Sequence, residues 1–173
     1  MSITLKIKGL DAAIKNANKI ASTARKETQA ALDDFAFRVE GDAKVLAPAN
    51  EGGLRMAIGT KRGNLQASVV VAKDYAAFME FGTRKYAAQY VATLPAEWKG
   101  LASEFKGNGN GGSIKGILFV MRQWFKDKGI DDDHAFFIAR KMLREGVRPH
   151  PFLYPAVNAN LDQLKKDLNN VIK

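Results

Sequence analysis

Two histidines, His134 and His150, and no cysteine make up all the imidazole and thiol in this 173-residue chain. That removes disulfides, zinc-thiolate sites and thiol nucleophiles together. Asp131, Asp132, Asp133 and His134 could be drawn as cation ligands, but adjacent residues at a helix start point in different directions, and an N-cap suits them better. His150 lies between Pro149 and Pro151, and the sequence names no partner for it. There is no Gly-x-Ser-x-Gly, so no nucleophile and base are assembled. The string Gly107-x-Gly109-x-x-Gly112 matches the dinucleotide fingerprint in letters only. No buried strand precedes it and no βαβ unit surrounds it, so Gly107 to Gly112 reads as a Gly/Asn linker. A Walker loop would need Gly-Lys-Ser/Thr, which is absent. The chain is therefore expected to be no enzyme, with no catalytic, cofactor-binding or metal-ligating residues.

Charge offers a second chemistry. Lys and Arg outnumber Asp and Glu by 27 to 18, a net charge of +9, and cationic side chains gain affinity for nucleic acid by releasing phosphate counterions. The charge is spread, however, with no basic tail and no short basic run. Segments 113–128 and 133–145 could form a helical hairpin whose Arg140, Lys141 and Arg144 meet phosphates. This makes a DNA-binding regulator using hairpin 113–145 the alternative function. Phe136, Phe137 and Met142 occupy much of the remaining surface, which favours a packed hairpin over a groove reader.

The elements that would carry these groups are legible from periodicity. Ile3, Leu5 and Ile7 alternate with polar residues as a short strand ended by Gly9. From Leu10 to Leu46 apolar residues recur at helical spacing until Pro48, a single amphipathic helix of about 55 Å at 1.5 Å per residue. A compact domain of this size cannot cover that length, so part of the helix should project, kink near Gly41 or pack on another subunit. Leu54, Met56 and Ile58 alternate, as do Leu65, Ala67, Val69 and Val71, which predicts a β-hairpin turning at Gly63-Asn64. Segments 86–93 and 95–106 are weakly helical. Ser113 should cap a helix with Ile117, Leu118, Met121, Trp124 and Phe125 inward, and Gly129 stops it. Another helix runs from Asp133 to Gly146, and a terminal one from about Ala156 to Lys173. The fold class is α+β: a long N-terminal helix and a C-terminal helix packed on a small antiparallel sheet. One domain is expected, with core 1–85 and 147–173 and a helical insertion, 86–146. No window is long and apolar enough for a membrane span, and no signal-peptide h-region opens the chain.

Two segments stand out from this frame. Tyr75 to Thr83 is an aromatic turn in which Tyr75, Phe78 and Phe81 recur at three, and at least two of Tyr75, Phe78, Met79 and Phe81 should be core. Glu80, Arg84 and Lys85 should then fall on solvent or on a neighbouring subunit. Arg148-Pro149-His150-Pro151-Phe152-Leu153-Tyr154-Pro155 is a stiff, extended strap, because three prolines fix φ and remove donors.

Taken in order, Ala47-Pro48, Gly53-Leu54-Arg55 with Ile58, Tyr75-Ala76-x-Phe78-x-Glu80-Phe81-Gly82-Thr83-Arg84 and Pro149-x-Pro151-Phe152-Leu153-x-Pro155-Ala156 resemble the gene-product-ten tail-component family of lambdoid (HK-type) tailed bacteriophages. The resemblance covers Leu10 to Arg84 and Arg148 to Lys173. It departs from the family by the insertion of roughly 60 residues and by Phe78 where Tyr is common. It implies a virion protein made in the bacterial host cytoplasm and placed at the head-tail junction, of tail-completion or tail-terminator type. It also implies a homo-oligomeric ring of six copies contacting the connector or head-completion protein and the tail tube, with no cofactor. On this reading Tyr75, Phe78, Glu80, Phe81, Gly82, Thr83, Arg84, Arg148, Pro149, Pro151, Phe152, Leu153 and Pro155 hold subunits together. The hairpin, with Arg55, Lys61 and Arg62, faces a channel and makes non-specific contact with DNA.

Overall fold

The computed structural model describes residues 10–48, 53–73, 75–105 and 112–171. The expected strand at Ile3 to Ile7 and most of the linker at 107–112 lie outside them. Helix α1, Leu10–Leu46, runs through Gly41 without a break. Its Ala-rich composition favours helix, and Pro48 ends the pattern. Just beyond, Arg55 donates from Nε to the Ala47 carbonyl (3.0 Å) and from its guanidinium to Val45 O (3.5 Å). A cation placed there suits the negative end of the helix dipole.

Arg55 belongs to a short helix, α2, Gly53–Met56, where the alternation of Leu54 and Met56 had predicted strand. Leu54 is buried and Met56 exposed, but in four residues helical and extended spacing look alike. Strands β1, Ile58–Gly63, and β2, Gln66–Val71, then pair antiparallel from Ile58↔Val71 to Gly63↔Gln66. The turn is Asn64-Leu65, one residue beyond the expected position, and Leu65 adopts φ 51°. Lys61 and Arg62 are strand residues.

The next helices are α3, Ala76–Phe81, α4, Arg84–Ala92, and α5, Ala96–Glu104. They are followed by α6, Ile114–Asp127, α7, Asp132–Glu145, and α8, Leu153–Val171. The caps read from sequence are present: Ser113 Oγ accepts from Gly116 N (3.0 Å) and Asp131 Oδ1 from His134 N (2.8 Å). Gly129 and Gly146, at φ 64° and 93°, follow α6 and α7. On α7, Phe137 is exposed, and Ala135 and Ala139 are buried.

The core lies where α1, α8 and the hairpin meet. Val39, Ala43, Ala47, Leu54, Ile58, Ala76, Phe152 and Ala156 are buried together, with Phe35, Val69, Val71 and Met79 packed around them. Leu46, expected on this face, is exposed, and Ala47 is buried in its place. Helices α1 and α8 are antiparallel. Asn160 Nδ2 bonds Asp42 Oδ2 (2.7 Å), and farther along Arg38 pairs with Asp167 (3.0 Å). The hairpin reaches a little further, with Arg62 at 3.4 Å from Asp33 and 4.9 Å above the Phe37 ring, and Gln29 on Gln66 O (3.4 Å). Among the described residues this cover ends toward the N-terminus of Gln29. Residues 14–27 are exposed save for Ala24, and Ile14 and Ile20 retain 49% and 71% of their surface.

Candidate functional site: the turn and strap

Helix α3 is only six residues long, yet it places four groups against the strap. Gly82 N closes it on Phe78 O (2.9 Å), and Gly82 turns out of the helix at φ 73°. A Cβ at Gly82 would stand 2.8 Å from Val147 O and 2.9 Å from Pro149 N. Glycine is required there by both space and dihedral. Thr83 then joins the strap twice: its N–H donates to Val147 O (2.9 Å), and its Oγ1 accepts from Val147 N (2.7 Å). His150 N donates to Met79 O (2.6 Å).

Glu80 makes the central contact. It was expected on solvent or on a neighbouring subunit; instead it is 3% exposed and turned into its own chain. Oε2 accepts from Phe152 N and Leu153 N, both at 2.8 Å, and Oε1 accepts from Tyr154 N at 2.9 Å. These are the first free donors of α8, and the next residue, Pro155, has no N–H to satisfy. One carboxylate and one proline therefore account for the whole open end of the helix. The negative charge also suits the positive end of the α8 dipole. This explains why α8 begins at Leu153 and not near Ala156, so that Leu153, Tyr154 and Pro155 are helical and the extended strap ends at Phe152. The other two prolines, 149 and 151, alternate with the donors at Val147, His150 and Phe152, so no proline falls where the turn needs an N–H.

The remaining motif residues divide. Phe81 and Phe152 are buried and Met79 is partly so, while Tyr75 and Phe78 are 44% and 45% exposed. Arg84, at φ 52°, and Arg148 are exposed, the latter 5.4 Å above the Tyr86 ring. Arg55 and Arg62 are engaged on α1, which leaves Lys61 as the exposed hairpin cation not held there.

Sequence reasoning missed the aromatic cover over this joint. Trp98 meets Tyr154 edge-on at 5.2 Å and Phe81 at 6.3 Å, and Phe105 stacks on Phe81 at 6.4 Å. The seven-residue spacing of Trp98 and Phe105, one helical face, was the available signal. Tyr90 is close by, its hydroxyl buried without a hydrogen-bond partner. Burial first, then the charge of Glu80 and then Tyr154, push its pKa up to about 12.

In this arrangement the motif residues satisfy backbone donors, cap a helix and seal a strap, so the motif builds the fold. Residues 11–82, from α1 through Gly82, match the family HK97-gp10_like, described as "Bacteriophage HK97-gp10, putative tail-component". This is the family that the motifs resemble, and it supports a structural role in a bacteriophage particle. No curated protein and no solved structure gives a significant match. Among the described residues no helix is long and apolar enough to cross a membrane.

Proposed function

We propose that this chain is a head-tail junction protein of a tailed phage or prophage, of tail-completion or tail-terminator type, and that it works as a ring, six copies being the number the resemblance implies. The observation that carries this reading is the overhang of α1. Its apolar stripe runs on from the buried Ala31 and Val39 to Ile14 and Ile20, past the last cover that α8 and the hairpin provide. An amphipathic helix continuing about 25 Å beyond its own domain is a surface for another molecule, and a heterologous contact between identical subunits closes into a ring when its rotation closes.

In the ring the turn and strap act as a rigid joint, presenting the exposed Tyr75 and Phe78 to the neighbour, while connector and tail-tube proteins cover the two ends. Native mass spectrometry and electron microscopy at high protein concentration test this, with rings expected. A strictly monomeric protein that also fails to bind connector or tail tube would overturn it.

A further inference from the structure

We infer that the surface where α4 begins, α7 ends and the strap departs binds the sugar-phosphate backbone of duplex DNA without sequence preference; this rests on the junction reading, and names the face that meets the DNA.

The two hydrogen bonds between Thr83 and Val147 put Arg84 and Lys85 on one side of a joint and Arg148 on the other. The last turns of α7 complete the patch. Tyr86 reaches Glu145 (3.4 Å), and Lys141 and Arg148 rim a hollow of about 190 Å³ floored by Ile138 and Met142. On α7 the buried Ala135 and Ala139 face inward, so Lys141 and Arg144, three residues apart, share the outer face. Arg84, Lys85, Lys141, Arg144 and Arg148 are all exposed. Glu145 lies among them, paired with Arg144 at 2.7 Å. The hydrogen bond from Arg144, with the charges of Lys141 and Arg144, holds that carboxyl below the usual range.

Five exposed cations from three elements, with Glu145 paired to Arg144, make a surface suited to a polyanion. An acidic protein is the less fitting occupant, since the core of a protein interface is depleted in charge, whereas protein–DNA interfaces are polar and strongly positive. The hairpin expected to face DNA is the poorer candidate, because Arg55 and Arg62 are engaged on α1.

The test is fluorescence anisotropy of the full chain with a labelled random-sequence duplex across a salt series. The plot of log affinity against log salt should be linear, and R84Q/K85Q/K141Q, which spares the Arg144–Glu145 pair and the Arg148–Tyr86 contact, should flatten its slope by roughly 3, about 0.9 per lost phosphate contact. A control of equal charge, K15Q/K19Q/K26Q on the α1 overhang, should leave the slope unchanged. Equal flattening by both variants, no duplex binding by the wild type, or binding to polyglutamate in preference to duplex would each overturn the inference. Rings of wild-type protein that ignore duplex would defeat this inference alone, and duplex binding by a protein that never forms rings would defeat the junction reading alone.

Discussion

Glu80 shows how much one carboxylate can decide. Glu80→Ala leaves three backbone donors at the start of α8 without their acceptor and should cost about 3 kcal/mol or more, since each buried unsatisfied group costs on the order of 1–3 kcal/mol. Urea denaturation measures the loss. Hydrogen exchange at Phe152 to Tyr154 should quicken more than exchange in the middle of α1, and uniform quickening would count against a local cap. Tyr90 is the opposite case, a buried hydroxyl with no partner. Tyr90→Phe should therefore stabilise the chain by about 1 kcal/mol. Its raised pKa also makes a prediction of sign. Between about pH 10 and 12 the unfolded tyrosine has lost its proton and the folded one keeps it, so stability present below pH 10 drains away as pH rises through 12. Thermal melts in that window should show a shallower decline for Tyr90→Phe than for the wild type.

At the scale of elements, the hairpin carries a visible cost at its tip. Leu65 is in the left-handed region at φ 51° and is exposed, a conformation that costs an ordinary L-residue roughly 1–2 kcal/mol. Leu65→Gly should relieve the strain and raise the melting temperature by a few degrees, an effect of about 0.5–1 kcal/mol; a lower melting temperature would mean that the Leu65 side chain packs usefully after all. The same tip shows where the sequence was hard to read. Gly63-Asn64 carries the familiar turn letters, but the register set by Ile58, Val69 and Val71 against α1 moved the turn one residue on. Long helices were legible because dozens of positions vote on the period, and caps such as Ser113 and Asp131 because they are local. Leu54 to Met56 was misread because four residues cannot distinguish two periods. Glu80 was misread because a charged letter between aromatics looks like surface; only the fold brings three free N–H groups to it. Trp98 escaped notice for the same reason, since its partners Tyr154 and Phe81 lie far away in sequence.

For the whole molecule, the overhang of α1 separates folding from assembly. Ile14 and Ile20 touch little of their own chain, so I14E/I20E should shift stability by no more than about 0.5 kcal/mol while abolishing rings. Calorimetry and native mass spectrometry on the same sample check both halves. Rings that persist in this variant would move the subunit contact elsewhere.

The paired hydrogen bonds between Thr83 and Val147 have a consequence for loop closure. Thr83 and Val147 bring the two ends of the stretch between them to within 3 Å of each other, and Trp98 and Phe105 return from within it to cover Phe81 and Tyr154. A segment closed at its ends in this way can change length at little entropic cost, because loop-closure entropy grows only slowly with length, as long as Trp98 and Phe105 still cover Phe81 and Tyr154.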